Sequence, residues 1–321
     1  MRSRSLSLTG ATGFVGWHTA EAFVRAGWDV RAVVRRGNRR PLPSGVTVAE
    51  ADLTPASLAA ASAGSDVFIH SAALIRAATE AEFNAVNVDG TRAACEAVAG
   101  TGARFILISS QAAGGPGTAS APRRETDPPA PVNAYGRSKL AAEAVVRQAS
   151  GLEWTIIRPC AVYGPRDQGF LPLFRMARRG IFLAPDSTHT SFTLIHVADL
   201  VRAILMAAEA PAARGETLFV GHPDPRTGLD VLRTIAEVEG RRFRPWPVPG
   251  PLFTALALFG DLSWKVGVKP LVDSGRLVEL RAPGFVCDVD HVRRVLGFTA
   301  EVPFETGVAE TGRWYAEQGW L

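Results

Sequence analysis

Tyr135 and Lys139 stand four residues apart in a stretch, Ala134 to Gln148, whose pattern predicts a helix, so their side chains share one face one turn apart. A free tyrosine titrates near pH about 10, too high to trade protons readily at neutral pH. An ammonium beside it stabilises the phenolate and lowers that value, which makes Tyr135 a general acid/base and Lys139 the residue that tunes it. Lysine is scarce here (Lys139, Lys265 and Lys269 only), so the pairing is a specific signal. The other use for Lys139 is an exposed ion pair with Glu143, one further turn on. Ser109 and Ser110 close a short apolar run, Arg104 to Ile108, read as a buried parallel strand. A hydroxyl at such a strand end can hydrogen-bond a substrate oxygen as charge builds on it, although serines there are also common turn formers.

A second chemical signal is Thr9-Gly10-Ala11-Thr12-Gly13-Phe14-Val15-Gly16. It follows an alternating strand, Ser5 to Leu8, and opens a helix in which Phe14, Val15, Ala20, Phe23 and Val24 share an apolar face. A helix start leaves N–H groups unpaired and partly positive, so a pyrophosphate can sit on it. Gly10 permits the tight turn, Gly13 lets backbone approach the phosphates, and Gly16 brings helix and sheet together. The glycines fall three apart, unlike the Gly-x-Gly-x-x-Gly fingerprint. Their place after the first strand of an alternating α/β pattern favours a dinucleotide site over a plain glycine turn.

Elements to position these residues alternate as far as Gly164. Strands are expected at Asp29–Val34, Thr47–Ala51, Asp66–His70 and Glu153–Arg158. Helices are expected from Pro55 and over Thr79–Val98, with a loop or lid from Gly114 to Pro131. This pattern predicts an α/β fold with a doubly wound parallel sheet. Later elements are less regular: helices at Phe170–Arg179, Val197–Ala208, Arg226–Gly240 and Phe304–Gln318, strands at Thr190–Ile195 and Glu216–Val220, and a corner at Val248–Pro251. Leu252 to Val266 is notably apolar and serves either as core of a small lobe or as a greasy substrate wall carrying Phe253, Leu256, Phe259 and Trp264.

The 321 residues suffice for a large domain and a smaller one, and 47% apolar with 21% charged residues is ordinary for a soluble globular enzyme. The net charge of +4 comes from scattered arginines, without the basic run that nucleic acid calls for. Cys95, Cys160 and Cys287 lie far apart in sequence, lack metal-ligand spacing and, with no signal peptide, point to a reducing cytoplasm. No apolar run approaches the ~20 residues of a membrane span.

The glycine octamer, Ser/Tyr/Lys set and their order resemble the extended branch of the short-chain dehydrogenase/reductase superfamily, over roughly residues 4 to 320. The resemblance implies a Rossmann domain at residues 1–165 and 190–221, and a substrate-binding lobe at 166–189 and 222–321. It selects Ser110, 25 residues before Tyr135, as the catalytic serine beside Tyr135 and Lys139. It implies cofactor contacts from Gly10, Thr12, Gly13, Phe14, Val15, Gly16, Asp52, Leu53, Ser71, Ala72, Ala73, Asn87, Tyr135, Lys139, Pro159, Ala161 and Val162. His196 looks like the family's structural turn. NAD-preferring members end strand two with a carboxylate; here Val33-Val34-Arg35-Arg36 offers Arg35 for a 2′-phosphate, which favours NADP(H) over NAD(H).

The triad serves ketone reduction and nucleotide-sugar epimerisation alike. Gln111-Ala112-Ala113-Gly114-Gly115 in place of a Val-Tyr-Gly, a second strand like that of dihydroflavonol reductases, and a Leu252–Val266 segment like that of 3β-hydroxysteroid dehydrogenase-like members lean towards a reductase with a bulky apolar substrate. Tyr163-Gly164-Pro165 is shared with sugar-modifying relatives, and Arg175, Arg178, Arg241, Arg276 and Arg281 could grip a diphosphate. Non-catalytic dinucleotide sensors are a third class, but they tend to lose the triad. The partner is a small molecule, with room for a homodimer.

Overall fold

The computed structural model describes residues 3–185, 189–264, 270 and 272–321. Lys265, Val266, Gly267 and Lys269, at the end of the apolar segment, lie outside the described residues. The strands are β1 (Ser5–Thr9), β2 (Asp29–Val34), β3 (Thr47–Glu50), β4 (Val67–His70), β5 (Arg104–Ile108), β6 (Trp154–Pro159) and β7 (Ala161–Tyr163). They continue as β8 (Phe182–Pro185), β9 (Ser191–Phe192), β10 (Leu194–His196), β11 (Thr217–Val220), β12 (Arg226–Thr227) and β13 (Pro245–Val248). Seven form one sheet in the order β11-β6-β5-β4-β1-β2-β3, and every neighbouring pair is parallel. All seven carboxyl ends therefore meet at one edge, where open α/β sheets hold ligands.

The helices are α1 (Phe14–Arg25), α2 (Pro55–Ser62), α3 (Glu80–Phe83), α4 (Asp89–Val98), α5 (Gln111–Gly114), α6 (Ala134–Gln148) and α7 (Leu171–Arg178). After them come α8 (Val197–Glu209), α9 (Gly228–Val238), α10 (Gly250–Trp264), α11 (Ser274–Arg281), α12 (Asp290–Leu296) and α13 (Phe304–Glu317). One sheet face packs Leu6, Leu8, Val30 and Ile106 against Ala20 and Phe23 of α1 and Leu200 and Ile204 of α8. The other packs Val33, Phe68 and Leu107 against Leu58 of α2, Ala94 and Val98 of α4, and Ala142 and Val146 of α6. Double winding explains β1: its alternation reads as half-exposed, yet Ser7 and Thr9 are buried too. Ser7 Oγ meets Ser65 Oγ at 2.7 Å, and Thr9 Oγ1 meets His70 Nδ1 at 2.9 Å. Buried hydroxyls are tolerated when paired in this way.

The expected helix at Thr79–Val98 is three pieces, because a π-helical turn over Asn84–Val88 separates α3 from α4. The expected strand Thr190–Ile195 divides at Thr193, so β9 pairs with β12 while β10 pairs with β7. Residues 114–131 are strapped down as well. Gly117 bridges to Phe285 and Arg123 to Cys287, with Arg123 N donating to the Val286 carbonyl at 2.8 Å. A free lid is therefore not what this segment forms. A separate core of Tyr163, Phe174, Phe182, Ile235, Phe304 and Tyr315 holds α7, α9 and α13 together.

Much of the described part of the apolar segment faces solvent. In α10 only Ala257 and Gly260 are buried, and Leu256 and Phe259, expected in a pocket wall, face solvent, while Phe253 and Trp264 are half-buried. The small residues make the contact: a Cβ on Gly260 would stand 2.0 Å from the Val272 carbonyl oxygen.

Candidate active site

The turn between β1 and α1 leaves no room for side chains. Gly10 has φ +75°, and a Cβ there would lie 2.6 Å from the Ser71 carbonyl carbon. A Cβ on Gly16 would lie 2.2 Å from the Gly10 carbonyl oxygen. Gly10 thus lets the β1 and β4 loops touch, and Gly16 brings α1 onto the turn. No side chain caps α1 and no carboxylate occupies its first turn, so its opening N–H groups are left for an anion.

A cleft of about 430 Å³ opens beside this turn, lined among others by Gly10, Thr12, Gly13, Arg35, Leu53, Ser71, Ala72 and Ala73. An uncapped helix start, glycines that a Cβ would overfill, and a cleft running to the end of β2 fit a dinucleotide. Arg35 lines the cleft together with Asn38 and Arg40, two residues the sequence reading left out of the site. A polar, basic loop after strand two was their only signal. Arg36 lies 3.7 Å from Asp52, both exposed, and the neighbouring Leu53 lines the cleft. Phe14, Val15 and Gly16 form the first turn of α1. Val15 packs into the core, and a contact from this turn would come through backbone.

Tyr135 and Lys139 sit in the first half of α6, whose start is set by Asn133: its Oδ1 accepts from Gly136 N at 2.8 Å. An asparagine just before an apolar-periodic run is a recognisable cap signal. Ser110 caps α5, its Oγ accepting from Ala112 N at 3.2 Å, and it also hydrogen-bonds the Tyr135 side chain. Turn former and site residue are one and the same serine. Ser109 instead donates to Glu143 Oε1 at 2.6 Å.

The electrostatics differ from expectation. Burial pushes the Tyr135 phenol up to about 12; the Ser110 hydrogen bond pulls down and the Glu279 charge pushes up. Lys139 is not among the groups that set this shift. The ammonium is buried and donates to the Ile108 carbonyl at 2.7 Å, and burial brings it down to about 8, with Glu143 opposing. Nor does Lys139 form the exposed ion pair with Glu143. Arg158 takes that carboxylate with two bonds, Nε to Oε1 at 2.8 Å and Nη2 to Oε2 at 2.7 Å, and Arg147 adds a third at 2.9 Å. Burial alone would raise Glu143, but Arg158, Ser109 and Arg147 outweigh it and leave the carboxyl below its usual range.

Asn87 is buried next to Val86, which lines the cleft. Its Oδ1 accepts from Leu74 N at 2.8 Å, and its Nδ2 donates to Leu74 O at 3.0 Å and Ser138 Oγ at 2.9 Å. Both amide hydrogens are spent, so it positions the loop that carries Ser71, Ala72 and Ala73. Pro159 ends β6, and Ala161 and Val162 begin β7, at the same sheet edge as Ser110. His196 caps α8 through Nδ1, 3.4 Å from Ala198 N, in keeping with a structural turn.

Two further residues were missed. Glu279 of α11 accepts from Asn133 Nδ2 at 2.7 Å and carries the lobe to the edge of the Tyr135 site. Arg166, the described non-glycine residue with φ of +73°, stacks its guanidinium 4.2 Å over the Trp17 ring. Neither has a sequence signal beyond its type. Cys160 and Cys287, distant in sequence, meet with sulfurs 3.5 Å apart, and no metal-holding cluster of His, Cys, Asp or Glu occurs among the described residues.

Four of the five arginines considered for a diphosphate have other partners. Arg175 donates to the Trp320 carbonyl (2.9 Å), Arg178 pairs with Glu239 (2.9 Å), Arg276 with Glu279 (2.7 Å), and Arg281 donates to Thr254 Oγ1 (2.6 Å). Arg241 is exposed after α9.

Comparisons with known proteins agree with this geometry. The NAD dependent epimerase/dehydratase family matches residues 6–221. A ceramide reductase of Caulobacter vibrioides is 34% identical over 98% of this chain and 96% of its own. A UDP-glucose 4-epimerase of Vibrio cholerae is 27% identical over 97% of this chain and 95% of its own. Among solved structures, MoeE5 in complex with UDP-glucuronic acid and NAD superposes with a TM-score of 0.77 at 25% identity, covering 98% of this chain and 99% of that one. The chain belongs to the NAD dependent epimerase/dehydratase family, within the extended short-chain dehydrogenases/reductases.

Proposed function

We propose that this protein is an NADP(H)-dependent reductase of a bulky, mostly apolar ketone, with residues 1–165 and 190–221 holding the dinucleotide and the remainder shaping the substrate site. The reading is carried by Ser110 and Tyr135 brought together beyond the end of β5, with burial pushing the phenol further from ionisation. A protonated phenol is ready to give its proton. When bound, the nicotinamide dinucleotide supplies the hydride. Ser110 orients the carbonyl oxygen, and Tyr135 donates its proton there as negative charge develops. Lys139, anchored on the Ile108 carbonyl, brings a positive charge to the same edge.

Arg35 in the cleft, with no carboxylate at the end of β2, supports a 2′-phosphate. Arginines committed elsewhere support an apolar substrate over a diphosphate. The ceramide reductase, and a ketoreductase of Stigmatella aurantiaca 29% identical over 94% of this chain and 93% of its own, support it too. The intact Ser/Tyr/Lys grouping speaks against a pure sensor, and three free buried cysteines support a reducing compartment.

The second reading is nucleotide-sugar epimerisation, favoured by the likeness to a protein bound to UDP-glucuronic acid and NAD. Native purification followed by cofactor analysis separates the two. A reductase yields protein that exchanges NADP(H) freely on dialysis. Tightly retained NAD⁺ would favour the epimerase and overturn the proposal.

A further inference from the structure

The α10 helix presents its apolar side to solvent. Leu252, Leu256, Leu258, Phe259 and Leu262 are 53%, 49%, 62%, 72% and 56% exposed. With Ala255 they fill an arc of about 160° at the helical 100° per residue. That arc carries no charged residue. The helix's one carboxylate, Asp261, points the other way, accepting from Ser274 N at 3.0 Å and from the Ser274 hydroxyl. Thr254 and Ser263 close their hydroxyls on α10's own carbonyls, Gly250 O and Gly260 O. The helix thus turns most of its leucines and Phe259 outward, while Ala257 and Gly260 are buried and Phe253 and Trp264 half-buried.

The strand that leads into α10 is exposed as well. Trp246 of β13 is 66% exposed and lies in register beside Leu183 of β8, itself 40% exposed. Arg241, Arg242 and Arg244 precede it, all three exposed, and Arg179 is exposed next to Ile181. Between Gly240 and Gly260 the chain has no carboxylate. A large apolar arc with an arginine and tryptophan margin has the composition of a surface that lies in a bilayer interface.

We propose that the exposed face of α10, with its Trp246 and arginine margin, docks this protein on an anionic lipid bilayer. Charge chooses the occupant. A second copy would bring one arginine margin against another with no carboxylate in the patch to meet it. Protein interfaces also carry about one hydrogen bond per 100–200 Å², and this arc of Leu, Phe, Ala and Pro has one hydroxyl, on Ser263, already donating to Gly260 O, whereas acyl chains ask for none. The helix spans nothing: among the described residues no helix is long and apolar enough to cross a membrane. It would lie along the surface. α10 packs against α11, whose Glu279 holds Asn133 beside Tyr135, so a docked α10 would bring the site close to the lipid. The docking itself does not depend on which reaction Tyr135 performs.

The test is vesicle flotation of the full chain with phosphatidylcholine alone and with equimolar phosphatidylcholine and phosphatidylglycerol. The wild type should float with the anionic vesicles, less so as salt rises. A Leu258→Glu/Phe259→Glu variant should lose about tenfold or more in partitioning. Its thermal unfolding and cofactor affinity should be unchanged, because both side chains already face water. An Arg242→Gln/Arg244→Gln variant should weaken binding to anionic vesicles and leave neutral ones unaffected. A wild type that floats with neither composition overturns the proposal. So does equal flotation of the Glu variant. A dimer seen by light scattering that this variant converts to monomer, with no vesicle binding, would instead make the face a self-association surface.

Discussion

Lys139 and Glu143 lie one turn apart on the same face of α6, both buried, with opposite electrostatic circumstances. Glu143 is surrounded: Ser109, Arg147 and both arms of Arg158 donate to it, and its carboxyl falls below the usual range. Lys139 has one carbonyl, and burial pulls its ammonium down to about 8. A buried charge with every lone pair answered holds strands together; one with few partners is ready to change state. Glu143 ties α6 to β5 and β6 so that Lys139 and Tyr135 are held where β5 ends. The first half of the helix is reactive because the second half is anchored.

Removing the reactive group should have the largest effect. Tyr135→Phe deletes only the phenol hydroxyl, so turnover should fall about 10²–10⁴-fold while NADPH affinity, read by fluorescence titration, stays near wild type. Substantial remaining activity would mean that another group carries the proton.

Breaking the anchor should act on stability. Arg158→Met leaves a buried carboxylate short of its bidentate partner and should cost about 3–5 kcal/mol in denaturant unfolding. The pH dependence should also change sign. In the wild type Glu143 titrates below its unfolded value, so its contribution is present at neutral pH and is lost as acid protonates it. Without Arg158, burial dominates and raises the pKa, so the variant should gain relative stability as pH falls. An Arg158→Met variant that keeps the wild-type acid limb would break the contrast between the two sites.

The cofactor end gives a smaller, more selective effect. Arg35→Ala should weaken NADPH by about 1–3 kcal/mol and NADH far less. Equal losses would remove the 2′-phosphate assignment.

The smallest effect is in the pH profile of reduction. Tyr135 at about 12 keeps its proton across the working range, whereas Lys139 at about 8 loses its charge above that pH. The turnover number should therefore hold below about pH 8 and decline above it. A decline that begins on the acid side would point to a different group.

The sheet and the glycine turn were legible because strand period, breaker residues and short connections are local signals, and β1, β2, β4 and β5 fall where the pattern set them. Tyr135 and Lys139 were legible as one helical turn. Their electrostatics were not, because spacing says nothing of Arg158, which arrives from β6, or of the Ile108 carbonyl that takes the ammonium. Asn87 looked like a contact residue, but only the folded loop shows Leu74 and Ser138 using up its amide. Composition revealed that α10 is apolar and could not tell which way it faces; that depends on Gly260 pressing against residue 272.

Net reduction of an apolar ketone is measured by incubating the enzyme with NADPH and a panel of long-chain and polycyclic ketones alongside UDP- and dTDP-sugars, following nicotinamide absorbance and identifying products. One NADPH should be oxidised per ketone reduced, with weak dependence on salt and no change in the sugars. Epimerised sugar with no net consumption of NADPH would contradict it.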